Sequence, residues 1–379
     1  MNSKSSQAAD EQAQTILNKS KDERVKVETG LQKLLKRPEL GAVAGFAIVT
    51  IFFIIFANPV MFSLSGIKNW MEPAAQLGIL AVGAALLMIA GEFDLSIGSM
   101  IAFAGFVFGV LVLNGAPLII AIPLTFLAAG AIGYVNGEIV LKTGLPSFIV
   151  TLAFLFILQG AALIGHKLAT GGATQIRGVR EAIEGDFLTP FFSGEIFSNW
   201  FVWLAEMGWI ETFKNGTPKI SGVPIEVVWF IVLTAFAAYI LQRTAYGNWI
   251  FAAGGDANAA SNSGVPVRRV KLSLFIFTAC CAALVAIITV SDLGSTDVKR
   301  GFQKEFHAII AAVVGGCLLT GGYGSVVGAA IGAVIFGMTV IGLSYTKFDS
   351  DWFLVVLGAV LLLAVIFNNY IRKRATGQR

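Results

Sequence analysis

Apolar residues along this chain gather into long unbroken runs, neither alternating nor confined to one helical face. Ten runs stand out, at about residues 41 to 57, 74 to 91, 97 to 113, 117 to 135, 147 to 165, 224 to 241, 272 to 290, 306 to 320, 325 to 343 and 352 to 367. Their lengths approach the roughly 20 residues a helix needs to cross a hydrocarbon core of about 30 Å. In lipid every backbone N–H and C=O needs an internal partner, and no barrel-type alternation appears, so each run is predicted to be helical. The pattern predicts an all-α polytopic membrane bundle of about ten transmembrane helices. An even count places both termini on one side.

Residues 1 to 29 are polar, without an apolar period, and read as a disordered tail. Leu31, Leu34 and Leu35 then recur at helical spacing beside Lys33, Lys36 and Arg37, the pattern of a short helix lying on a membrane surface. The chain therefore divides into a tail, 1–39, ending in this interfacial helix, and a transmembrane domain, 40–379. The first long apolar run begins too late for a signal peptide.

Composition agrees: 56% of the 379 residues are hydrophobic and 13% charged, against about 25% charged in soluble domains, which excludes a soluble enzyme. The net charge of +4 gives no nucleic-acid footprint. Where the charges sit matters more. With the tail inside, 17 of the 27 basic residues fall on the tail, Lys142, the 242–271 loop and the C-terminus, so both termini are predicted to be cytoplasmic. The outer loop, 166–223, mixes Trp200, Trp203 and Trp209 with phenylalanines, which suits either interfacial anchoring or a ligand role. Among 42 glycines, Gly324, Gly328 and Gly332, Gly105 with Gly109, and Gly133 with Gly137 recur every four residues, predicting close helix packing.

Little chemistry remains. His166 and His307 have no cysteine or carboxylate cluster, so no metal site is predicted. No Gly-Lys dipeptide exists to build a P-loop, and no Gly-x-Ser-x-Gly elbow occurs, so neither enzyme activity nor a resident cofactor is expected. Glu92 and Asp94 interrupt an otherwise apolar stretch in Gly91-Glu-Phe-Asp-Leu-Ser-Ile-Gly98. Charges at membrane depth cost roughly 2.5–3.5 kcal/mol each and so face water, a cavity or a partner. Either Asp94 caps the next helix in a tight turn through the N–H of Ser96 or Ile97, or Glu92, Asp94 and Ser96 line a polar passage for a hydroxylated solute. In the 242–271 loop, Asp256 is a good N-cap, Gly264 a good helix stop and Pro266 a breaker. A helix of about two turns fits between them, either within a solvated linker or as a docking element for another protein.

Four stretches together resemble the permease subunits of bacterial ABC importers for monosaccharides, of the ribose and xylose type. They are Gly91 to Gly98, Leu145 to Ala153, Arg243 to Val265 and Gly321 to Gly332. Glu92 makes the first look closer to the xylose branch. The resemblance implies an inner-membrane permease that forms a homodimer, binds cytoplasmic ATP-binding subunits carrying the ATP and Mg, and receives sugar from an extracytoplasmic binding protein. It implies a coupling helix with Gly255, Asp256, Ala257 and Asn258 at its start and Gly264 at its exit. The chain departs from the family pattern in three places: Ser261 and Asn262 stand where an Arg is usual, His307 stands where an Asp is usual, and the outer loop is longer than expected. The residues also leave open the same machinery carrying a polyol, nucleoside or branched-chain amino acid, an ATPase-independent secondary transporter, and a structural scaffold.

Overall fold

A computed structural model describes residues 39–214 and 216–352, with a few positions beyond as far as 366. The expected tail, its interfacial helix and most of the 352–367 run lie outside the described residues. Nearly all regular structure is helical, as the uninterrupted apolar runs demand. α1 spans Glu39–Phe56, α2 Leu64–Ile89, α3 Ile97–Leu113, α4 Leu118–Thr143 and α5 Ser147–Thr170. After a long connection holding α6 (Val179–Ile183) and α7 (Ser198–Glu206) come α8 (Ile225–Arg243), α9 (Ala245–Gly255), α10 (Ala257–Asn262), α11 (Val267–Leu293), α12 (Lys304–Val314) and α13 (Val326–Gly342).

Among the described residues, seven helices are long and apolar enough to cross a membrane: α1, α2, α4, α5, α8, α11 and α13 with the 3₁₀ turn that extends it. α3, at 17 residues, falls just short. The run at 306–320 divides into the 11-residue α12 and a glycine-rich turn. α2, α11 and α13 form the centre, with 83%, 78% and 72% of their apolar windows buried, while α1 and α5 lie outside, at 17% and 22%. Glycines permit the closeness: a Cβ on Gly328 would stand 1.9 Å from the Gly315 carbonyl oxygen, and one on Gly133 2.6 Å from that of Phe275.

Among the described residues, two short strand pairs and an isolated bridge between Thr212 and Pro218 depart from the all-α expectation, all in or beside the long connection. β1 (Gln175–Arg177) pairs antiparallel with β4 (Ser295–Asp297), and β2 (Glu195–Ile196) with β3 (Val223–Pro224). Side chains add further ties to the bundle: Lys68 of α2 pairs with Glu195, and Asp292 of α11 accepts from the Gly194 N–H at 2.8 Å. α7 buries none of its residues and leaves Trp200 and Trp203 exposed. This is the loop end of the bundle. The opposite, basic end carries Lys142, Arg243, Arg268, Arg269 and Lys271.

Candidate functional site

Between α2 and α3 the chain abandons helix for seven residues. Gly91, at φ +83°, makes the turn that L side chains resist. The freed backbone is then satisfied by α5: the Phe93 N–H donates to Ser147 Oγ and the Leu95 N–H to Thr151 Oγ1, each at 3.0 Å. Non-helical backbone within a membrane bundle survives only with such internal partners.

Asp94 is the hub of a buried polar cluster. Its Oδ1 accepts from the Ser96 N–H at 2.8 Å and the Ser96 hydroxyl at 2.6 Å, and its Oδ2 from the Thr278 hydroxyl of α11 at 3.1 Å. Asn136 of α4 donates to Ser96 Oγ at 3.0 Å. All four residues are buried, Asp94 at 5% exposure. Thr278 lies eleven residues inside α11, about 16 Å along it, so the cluster sits within the bundle rather than at its surface. The carboxylate is held by neutral donors from the break and from α11, with α4 tied in through Asn136 and Ser96, an arrangement that stays intact only while those elements keep their positions.

Of the three sequence-derived passage residues, the structure joins Asp94 with Ser96 and sets Glu92 apart. Glu92 Oε1 meets Lys271 Nζ at 2.6 Å, with both side chains nearly covered. Asp94 does take the Ser96 N–H, as a cap would, but α3 begins at Ile97 and Ser96 itself is its uncapped N-terminal neighbour. In this conformation Asp94 and Ser96 are packed in protein.

The 242–271 loop holds two helices, α9 and α10, where one was expected. Asp256 Oδ1 accepts from the N–H groups of Asn258 and Ala259, at 3.0 and 2.9 Å. At the other end Gly264, φ +86°, donates to Ser261 O while Val265 donates to Ala260 O, a Schellman closure. Between them α10 has six residues, shorter than two turns, with only Ala260 buried. Gly255, Asp256, Asn258 and Gly264 are exposed and Ala257 partly so.

Glycine backbone joins this loop to the break. A Cβ on Gly254 would stand 1.8 Å from the Ile89 carbonyl oxygen and 2.7 Å from the Gly322 nitrogen. Gly322 N–H donates to Ile89 O at 2.8 Å, and Gly321 lies against both Gly91 and Gly254. Three backbone segments, the end of α2, the end of α9 and the turn before α13, thus meet without intervening side chains.

Sequence reasoning missed Asn136, Thr278 and Lys271. Asn136 carried a signal, an amide directly after an apolar run and between Gly133 and Gly137. Ser147 and Thr151 lay in a stretch noted only for its resemblance.

Known proteins match this chain over most of its length. The family model described as branched-chain amino acid transport system / permease component matches residues 66–365. The ribose import permease protein of Haemophilus influenzae is 29% identical over 327 residues, covering 86% of this chain and 91% of that protein. The xylose transport system permease protein of Escherichia coli K12 is 31% identical over 365 residues, covering 88% and 92%. The autoinducer 2 import system permease protein of Salmonella paratyphi B is 28% identical over 325 residues, covering 86% and 90%. No solved structure matches the chain significantly. A match spanning most of the chain, together with seven spanning-length helices among the described residues, makes this a multi-pass membrane protein and a transport component rather than an enzyme: it belongs to the branched-chain amino acid transport system permease family.

Proposed function

We propose that this chain is the permease subunit of an ATP-binding cassette importer in the bacterial inner membrane, carrying a monosaccharide of the ribose or xylose kind. The observation that carries the reading is the near full-length similarity to permeases named for ribose and xylose, at 29% and 31% identity. In this reading both termini are cytoplasmic, two copies form the pore, α10 docks on a cytoplasmic ATPase, and a binding protein delivers sugar at the loop end. ATP and Mg belong to the ATPase.

The local geometry suits that division of labour. α10 is capped at both ends and presents small, exposed residues, so a partner groove can grip it as a rigid unit. A push on α10 would reach Ile89 through Gly254 and Gly322, and from there the break that holds Asp94. Closure of the ATPases would favour one arrangement of that break over another and so alternate access to the pathway.

The test is uptake of radiolabelled D-xylose and D-ribose by proteoliposomes containing this chain, its ATPase and its binding protein. ATP-dependent uptake, abolished by an ATPase unable to hydrolyse, is expected. Ion-driven uptake by the chain alone, or leucine as the only transported solute, would overturn the reading.

A further inference from the structure

At the loop end a cleft of about 370 Å³ opens among α2, α8, α11 and the long connection. Most of the residues that line it are polar or charged, although the helices around it are apolar. Glu72 and Gln76 project from one face of α2, Glu226 from the first turn of α8, Asp292 from the last turn of α11, Arg180 from α6, and Arg300 from the segment after β4. Charges placed against a membrane domain are costly and are kept where they meet one another, water or a solute. Several here have internal partners: Asp292 takes the Gly194 N–H, and Arg300 donates to the Thr289 carbonyl at 3.1 Å. Glu226 differs. It is 4% exposed and lines the cleft, and its Oε2 has no hydrogen-bond partner among the described residues. A covered carboxylate oxygen left in that state destabilises the protein unless something outside the chain brings a donor.

The lining limits what that donor belongs to. The volume is at the lower end of the roughly 300–1,000 Å³ of small-molecule pockets. Carboxylates and an amide accept from hydroxyl groups, and guanidinium groups donate to hydroxyl or ring oxygens. Charges of both signs on the walls suit a neutral solute, and no three metal-ligand side chains converge among the described residues. The site also leads inward. Arg300 lines a second, smaller cavity of about 40 Å³ with Ser99, Gln159 and Glu305. The Glu305 carboxylate lies so close to Gly98 that a Cβ there would stand 1.8 Å from it, two residues from Ser96.

The geometry points to this cleft as a binding site for a free, neutral monosaccharide, with Glu226 and Gln76 engaging its hydroxyls and Arg300 forming the floor that separates it from the Asp94 cluster. The assignment rests on the importer reading above. The assembled importer in proteoliposomes, carrying Glu226→Gln or Gln76→Ala, tests it through D-xylose and D-ribose uptake. In a second arm, Leu293→Cys at the exposed rim is labelled with a membrane-impermeant maleimide, with and without each sugar. Uptake is expected to fall about tenfold or more, the worth of a hydrogen bond to a charged group, with ATPase co-purification unchanged. The transported sugar is expected to slow labelling of the introduced thiol. Wild-type uptake in both variants, or labelling indifferent to sugar, overturns the cleft assignment and leaves the importer reading standing. A wild-type importer that moves neither sugar overturns that reading and the cleft assignment with it.

Discussion

The two ends of this bundle solve opposite problems with opposite materials. At the basic end, the end of α2, the end of α9 and the turn before α13 meet as bare backbone through Gly91, Gly254, Gly321 and Gly322. At the loop end, α2, α8 and α11 stand apart around charged side chains and leave a cleft. Backbone in direct contact cannot give way, because no rotamer can absorb a displacement, so such a junction transmits a push. Long side chains around a space can rearrange, so the loop end can admit a solute and release it. Rigidity and adaptability are separated by the length of α2, which reaches both.

The largest expected effect comes from breaking the rigid end. Gly254→Ala places a methyl 1.8 Å from the Ile89 oxygen, an atom fixed in the helix, so overpacking should cost about 3 kcal/mol. Thermal unfolding of the purified chain measures it, and ATP-dependent uptake should vanish. Preserved stability and uptake would show that the junction has room to yield. Next is the Asp94 hub. Asp94→Ala strands the Ser96 and Thr278 donors in protein and should cost about 3 kcal/mol, whereas Asp94→Asn keeps an acceptor for Ser96 and should cost about 1 kcal/mol or less. Uptake distinguishes the roles: a fold-neutral Asn variant that transports normally reduces Asp94 to a structural acceptor.

The same contrast explains what could be read from the sequence. Local signals came through well at the basic end: Asp256 caps α10, and Gly264 closes it as its residue type implies. At the loop end, α2 was expected to begin at residue 74 but begins at Leu64. Lys68, Glu72 and Pro73 stop an apolar run without stopping the helix, and Glu72 lines the cleft, so apolar periodicity hid both the helix start and the site. Burial was equally hidden. α1 and α13 have the same mean hydropathy, yet one lies at the periphery and the other at the centre, because hydropathy counts a lipid neighbour and a protein neighbour alike. The run at 306–320 looked like a full crossing for the same reason; Gly315 and Gly316 end its helix early against α13. The β1–β4 pair joins residues about 120 positions apart and leaves no local trace. Asn136 and Thr278 became part of a site only when the fold brought the first to Ser96 and the second to Asp94.

Asp256→Ala sharpens the comparison at intermediate scale. Loss of the cap should cost about 1 kcal/mol, confined to α10. If α10 transmits ATPase closure, uptake should fall more than global unfolding changes, and hydrogen exchange at Asn258 and Ala259 should quicken. A fall in uptake matched by loss of the whole fold would instead make the cap an ordinary structural element.

The smallest effect is expected on the loop end's outer surface. Lys219 Nζ meets Glu211 Oε2 at 2.6 Å, and the ammonium beside it holds the Glu211 carboxyl below the usual carboxylate range. A depressed folded pKa contributes stability that is present above the unfolded value and is lost as pH falls through the folded one. Both groups stand in solvent, where screening removes most of that contribution. Lys219→Ala should therefore leave the unfolding midpoint at neutral pH within replicate scatter, with any residual difference disappearing on acidification and in high salt. Uptake should be unchanged. If instead this variant lost uptake while Glu226→Gln kept it, recognition at the loop end would belong to the surface of the connection, and the cleft beneath it would be only a gap between helices.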